Sequence, residues 1–270
     1  MSYLAAMTHR ASVVTEHMTA AVVTVLETTS LEGVLKTLRE KDISCVLVTD
    51  SAGAPVGVVS MTDLARVSRL EGGHHQGPLK ILPPDRTAKD IMKSPLVAVD
   101  AGADVSVAAR TMLEHRVHRV FVTRDRRVVG VFSTRDALRV VLFQRVDTPL
   151  RDVMTTPVET IGVGDVIDDA LAKLDDTNMR GLVVVDGSTP VGLFAQLEAI
   201  RGRALLAELR QRPVEEIMSY ETMSLDVDTP LYRAAGHAIS TKMRRIFVVD
   251  GRKLVGIVTG YDLAQVLAEP

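Results

Sequence analysis

Gly256-Ile257-Val258-Thr259-Gly260-Tyr261-Asp262-Leu263-Ala264 reads as the end of a strand, a tight turn and the first turn of a helix. The same unit stands at Gly57-Val58-Val59-Ser60-Met61-Thr62-Asp63-Leu64-Ala65 and at Gly130-Val131-Phe132-Ser133-Thr134-Arg135-Asp136-Ala137-Leu138. An altered copy stands at Gly192-Leu193-Phe194-Ala195-Gln196-Leu197-Glu198-Ala199-Ile200. In all four, the Ser/Thr/Ala lies 3 positions after the glycine and the acid 6 positions after it. Met18, Met92, Met154 and Met218 each precede a glycine of this set by 38 or 39 residues, which fixes the period. Such a period identifies an internal repeat, and the repeat decides the fold.

Working outward from that turn, each repeat shows the same elements. In the first, Val13–Met18 reads as a helical turn and Val22–Val25 as a β-branched strand. Thr29-Ser30 opens a helix with Leu31, Val34, Leu35 and Leu38 at helical spacing. Val46–Val48 and Val56–Val59 flank a turn as a hairpin, and a helix from Thr62 to Leu70 closes the unit. The pattern is β-α-β-β-α, an α/β class with small sheets covered by helices. The expected limits are an arm at 1–11, repeats at 12–70, 87–145, 149–208 and 213–270, and a Gly/Pro-rich linker at 71–86. The linker accounts for the interval of 73 residues between the first two glycines, against 62 and 64 later. Neighbouring repeats, one with two and three with four, are expected to pair and cover each other's sheets.

Composition narrows the function. The 270 residues carry 46% hydrophobic side chains, enough for a sizeable core, and a formal net charge of −2. That balance, with 3% aromatic residues, disfavours nucleic acid as the main partner, since both a basic field and stacking platforms are lacking. One cysteine, Cys45, excludes an internal disulfide framework and fits a reducing compartment. With no signal-like N-terminus and no long apolar run, the expected location is the cytoplasm, away from any membrane.

The repeat with Gly-apolar-apolar-Ser/Thr-x-x-Asp at its last strand-to-helix turn resembles the CBS domain, named after cystathionine β-synthase. So do the leading segments Asp90-Ile91-Met92-Lys93-Ser94-Pro95 and Asp152-Val153-Met154-Thr155-Thr156-Pro157. Members of that family work in tandem pairs called Bateman modules, so the resemblance implies four repeats in two modules, an arrangement similar to the γ subunit of AMP-activated protein kinase. It further implies an adenosine ligand: AMP, ADP or ATP, with S-adenosylmethionine as the alternative. By the family pattern the acids Asp63, Asp136 and Asp262 take ribose hydroxyls, and Ser60, Ser133 and Thr259 meet phosphate or ribose. Thr62 and Arg135 stand inside the same motif. Basic residues before the central strand face phosphate: His118 and Arg119, Arg180, and Arg244 and Arg245. Repeat one departs with Ser44-Cys45, so its cation has to come from a neighbour.

The same residues also have a plain reading. Ser/Thr-x-x-Asp at a helix start is a capping arrangement, which stabilises a helix by about 0.5–2 kcal/mol without any ligand. Arginines beside the strands are not needed for capping and favour the ligand reading, because an anion is stabilised at a helix N-terminus. Gly162-Val163-Gly164-Asp165 lacks the third glycine of a dinucleotide fingerprint and reads as a turn. His74-His75 has no cluster of metal ligands beside it, Cys45 reads as a small buried residue, and the methionines read as core filler. No Walker A loop, nucleophile elbow or catalytic carboxylate pair is present, so no enzyme is expected.

The expectation is a regulatory adenine-nucleotide binder that signals occupancy to a protein partner or to a second copy of itself. A binder of another adenosine compound and a ligand-free assembly protein are the rivals. Repeats two and four are expected to be the principal sites. Repeat three, with Ala195, Glu198 and Gly181 at ligand-facing positions, is expected to have lost its ligand and to serve as the packing partner of repeat four.

Overall fold

The computed structural model describes residues 12–67, 82, 83, 85–177, 179 and 181–269. The expected arm, Leu70, most of the linker including His74 and His75, and Arg180 lie outside these. Repeat one comprises β1 (Thr24–Leu26), α1 (Leu31–Glu40), β2 (Cys45–Thr49), β3 (Pro55–Ser60) and α2 (Met61–Val67). Repeat two follows with β4 (Ala98–Asp100), α3 (Val105–Glu114), β5 (Arg119–Arg124), β6 (Arg127–Ser133) and α4 (Thr134–Gln144). In repeat three a short α5 (Leu150–Val153) precedes β7 (Thr160–Gly162), α6 (Ile167–Thr177), β8 (Gly181–Asp186), β9 (Thr189–Ala195) and α7 (Gln196–Arg203). Repeat four holds β10 (Ser224–Asp226), α8 (Leu231–Thr241), β11 (Ile246–Asp250), β12 (Lys253–Val258) and α9 (Gly260–Ala268).

Every repeat therefore builds the same three-stranded sheet, with the middle strand of the chain order also central in space. The first strand runs parallel to the central one, which requires a crossover, and the first helix of each repeat supplies it. The central and last strands form an antiparallel hairpin, with a register shift at the same place in all four. That shift leaves the last strand aimed at the second helix, with the motif glycine one step inside it.

The chain divides into two compact units. One joins repeats two and four with the segment up to Val22, and the other joins repeats one and three. This differs from the pairing of sequence neighbours expected above, and repeat three shares its compact unit with repeat one rather than repeat four. The reason lies in the helices. In the unit of repeats two and four, α4 packs on α8 and α9, and α3 packs on α9. Ala108, Ala109, Ala234, Ala235 and Ala264 are buried there, and such small side chains let helix backbones approach closely. Phe132, Met112, Val141, Leu231 and Ile246 complete one continuous core drawn from both repeats. A buried side chain of this size contributes about 1.5–3 kcal/mol relative to exposure. In the other unit α2 packs on α7, and Ile200 of repeat three enters the core of repeat one beside Leu64.

What sequence neighbours do exchange is the segment leading into each repeat. Thr19 pairs with Val131 of repeat two, Lys93 with Val58 of repeat one, Thr155 with Ile257 of repeat four, and Ser219 with Leu193 of repeat three. Each is a short antiparallel bridge with backbone bonds in both directions, at 2.9–3.1 Å. The methionine before each bridging residue covers the partner's motif glycine. Met18 lies on Gly130, Met92 on Gly57, Met154 on Gly256 and Met218 on Gly192, each sulfur standing where a Cβ on that glycine would be. The 38–39-residue spacing read from the sequence is real, but the methionine reaches the glycine of a neighbouring repeat rather than its own.

Candidate functional site

Each candidate site forms where the last strand turns into the second helix. The Ser or Thr ends the strand in extended conformation and the acid falls at the third helical position. In repeat two the Ser133 amide and hydroxyl both donate to Asp136 Oδ2, at 2.8 and 2.7 Å. In repeat four the Thr259 amide and hydroxyl donate to Asp262 Oδ2 at 2.6 and 2.7 Å, and Thr259 Oγ1 accepts from the Tyr261 amide at 3.2 Å. Repeat one repeats the pattern, with the Ser60 amide at 2.9 Å from Asp63 Oδ2 and the Ser60 hydroxyl on the same oxygen. Repeat three keeps only half of it: the Ala195 amide donates to Glu198 Oε2 at 3.1 Å, so the longer acid still reaches the cap, but no hydroxyl is present. The capping reading of the motif therefore describes one carboxylate oxygen in every repeat.

The other oxygen is met by the exchanged segments. Thr19 donates its hydroxyl to Asp136 Oδ1 at 3.2 Å, Thr155 donates to Asp262 Oδ1, and Lys93 Nζ lies 3.1 Å from Asp63 Oδ1. Sequence reasoning missed these three residues. The signal was available in the position after each anchor methionine, where Thr19, Lys93, Thr155 and Ser219 are all hydrogen-bond donors. A cation does reach repeat one from the segment that leads into repeat two, but Lys93 pairs with the acid Asp63 itself. The four acids are the buried charged residues among those described, from 0% exposure at Asp136 to 6% at Asp63. Buried carboxylates are stable only when bonded, and Asp63, Asp136 and Asp262 are met on both oxygens, whereas Glu198 is hydrogen-bonded on one.

The basic residues take positions set by strand register. Arg119 is opposite Ser133 across the hairpin, and Gly181 is opposite Ala195. Cys45, buried, is opposite Ser60 where repeat two has its arginine. In repeat four Ile246 is opposite Val258, so Arg245 falls one step further out, level with Thr259. His118 is fixed beside the helix start because the Thr134 amide donates to its carbonyl at 3.2 Å. Arg135 and Thr62 occupy the second position of α4 and α2. The starts of α4 and α9 also meet one another. A Cβ at Gly260 would overlap the Thr134 side chain, and the His118 ring lies edge-on to Tyr261 at 4.8 Å between centroids. The structure thus brings His118, Arg119, Ser133, Arg135 and Asp136 close to Thr259 and Asp262, with Arg244 and Arg245 at the corresponding strand start. Ser60, Thr62 and Asp63 form a separate group in the other unit. The turn expected at Gly162 is present, with the Gly162 amide bonded to Asp165. Among the described residues no group of side chains could hold a metal ion, and no helix is long and apolar enough to cross a membrane.

Four copies of this strand–turn–helix with an extra bridging segment match one known family. The CBS domain pattern fits residues 14–69, 88–142, 150–202 and 214–269. The chain belongs to the CBS domain family. A relative from Methanocaldococcus jannaschii, the uncharacterised protein MJ1225, is 26% identical over 204 residues, 67% of this chain and 71% of that protein. Its crystal structure, described as that of a proposed archaeal homologue of γ-AMPK, superposes with a TM-score of 0.78 at 19% identity, covering 95% of this chain and 100% of the other. An uncharacterised conserved protein from Pyrococcus horikoshii superposes with a TM-score of 0.66 at 20% identity, again over 95% and 100%. These likenesses show a CBS fold. The A-adding tRNA nucleotidyltransferase of Geobacter sulfurreducens is 29% identical over 173 residues, 64% of this chain, but that match spans only 19% of the enzyme.

Proposed function

We propose that this CBS protein is a regulatory binder of adenine nucleotides, with its principal sites in repeats two and four. One observation carries the reading: a buried acid, a hydroxyl at a helix start and an arginine level with that hydroxyl stand together in these two repeats. A carboxylate fixed beside a helix N-terminus suits a cis-diol, and the helix N-terminus with a guanidinium suits the phosphate beyond it. Charge supports the same division. The unit of repeats two and four, with the segment up to Val22, carries 17 Lys and Arg against 13 Asp and Glu, whereas the other carries 15 against 21. The near-neutral whole conceals a basic half, and that half is the one suited to an anion.

The ligand here is AMP, ADP or ATP; S-adenosylmethionine, with a cationic sulfonium and no phosphate, makes less use of Arg119 and Arg245. Occupancy is passed on through the exchanged segments, because ribose at Asp136 or Asp262 meets an oxygen already bonded to Thr19 or Thr155. The response of a protein partner, or of a second copy of the chain, is limited to the ligand's differential affinity for the two arrangements. No catalytic step is assigned to the chain, and its place of action is the cytoplasm.

Thermal or chemical denaturation with AMP, ADP, ATP, S-adenosylmethionine and GTP tests this. A nucleotide at a hundred times its Kd adds about 2.7 kcal/mol of stability. The carboxylates already satisfied by protein groups favour a ligand-free assembly role, and a flat response across the panel would establish that instead. Arg119→Ala and Arg245→Ala are each expected to weaken nucleotide binding about tenfold, the scale of a charge-assisted bond, and to leave adenosine binding unchanged. Equal losses for nucleotide and nucleoside would assign these arginines to the fold. Calorimetric titration should give fewer than four ligands per chain, with none at Glu198.

A further inference from the structure

The second carboxylate oxygen differs among the four acids in one respect, the presence of a cation. Asp136 Oδ1 accepts from Arg139 Nη1 at 2.9 Å, three residues along α4, in addition to Thr19. Asp63 Oδ1 faces Lys93 at 3.1 Å, and Glu198 Oε1 lies 3.9 Å from Arg201, again three residues along its helix. The same helical position in repeat four is Gln265. Gln265 brings no charge to Asp262, whose Oδ1 accepts the neutral hydroxyl of Thr155. Burial does not separate the two principal sites, since Asp136 and Asp262 are 0% and 2% exposed.

We propose that the residue three positions after the acid ranks the nucleotide sites, and that repeat four, with Gln265 there, fills before repeat two, where Arg139 holds Asp136. The inference rests on the nucleotide reading above and adds the order of filling. A ribose hydroxyl is a neutral donor. At Asp262 it competes with another neutral hydroxyl, which can rotate away or share the oxygen. At Asp136 it must displace or crowd a charge-assisted bond, shorter and about twice as strong as a neutral one. Arg139 is 56% exposed, so solvent screens the pair and the handicap is modest. The acid of repeat two is thus partly occupied by its own helix, whereas α9 brings no cation to that of repeat four.

Gln265→Arg and Arg139→Gln exchange the two conditions. Both positions are exposed, and Gln and Arg have similar helix propensities, so α9 and α4 are retained. Titration calorimetry of the full chain with AMP, and with ATP, should show the tighter site weakened about three- to fivefold in Gln265→Arg, the range an exposed ion pair accounts for. Arg139→Gln should tighten the weaker site by a similar factor and leave the tighter one in place. In the double exchange the two sites should change rank, which Asp262→Asn then reads out by abolishing the weaker rather than the tighter phase. If the parent binds nucleotide and both single exchanges leave its two affinities unchanged, the ranking is overturned and the nucleotide reading stands. If the parent binds none of the nucleotides, the nucleotide reading itself is lost.

Discussion

Asp262→Ala is expected to remove nucleotide binding from repeat four and to destabilise the fold in the same step. The family resemblance implies a ribose contact for this acid, and its place at the helix start implies a cap. In the structure it is 2% exposed, and its Oδ2 accepts two bonds from Thr259 at the start of α9. Truncation leaves the Thr259 amide and the Thr155 hydroxyl without their acceptor, and loss of such a cap costs about 1–2 kcal/mol. The two roles separate in Asp262→Asn. Its amide oxygen still accepts from Thr259, so less than half of the stability loss should remain. The negative charge that binds the diol is gone, however, and bonds to a charged group contribute about 1.5–3 kcal/mol, or at least tenfold in affinity. Denaturant unfolding and titration calorimetry on both variants measure the two effects. Asp262→Asn with parental affinity would show that the carboxylate is a cap and nothing more.

Gly256→Val should act on the same site from behind, with a loss of about 1–3 kcal/mol, the usual cost of overpacking. The added side chain would stand where the Met154 sulfur lies, with the Met154 Cβ at 3.0 Å, so the methionine cannot swing clear without moving its backbone. That backbone carries Thr155, bridged to Ile257 and bonded to Asp262. Nucleotide affinity at repeat four should therefore fall together with stability. Met154→Ala makes room, and in the double variant a large part of both losses should return, as a coupling of contacting residues requires. Strictly additive losses would mean that the methionine and the glycine do not meet.

Much of this fold is legible in the sequence because its repeats are short-range objects. A strand, a crossover helix and a hairpin ending in Gly-x-x-Ser/Thr-x-x-Asp are each fixed within about sixty residues by periodicity, turn chemistry and capping. Partner choice is not local. A period of four states that like elements recur, yet it does not state whether Met154 covers Gly192 or Gly256, since either glycine offers the same groove. The compact pairing of repeats two and four depends on small side chains such as Ala109 and Ala235, which in sequence read as ordinary helix formers. The candidate site divides in the same way. Ser133 with Asp136, and Thr259 with Asp262, each lie within one turn of chain and are legible together. Thr19, Lys93 and Thr155 reach their acids from another repeat; a donor after each anchor methionine is visible in the sequence, but the acid it meets is not.

The exchanged segments also set a timetable for synthesis. Thr19 leaves the ribosome before the acid it bonds, Asp136, which comes 117 positions later. Thr155 waits 107 positions for Asp262. Domains emerging N-terminal first, at about 5–20 residues per second, leave such a partner unmet for many seconds. Lys93 has no such delay: Asp63 and Gly57 are already made when it emerges, so repeat one can be sealed as the next repeat begins. Repeat one is thus closed by a segment made after it, whereas Asp136 and Asp262 each emerge to find the segment that bonds them already translated.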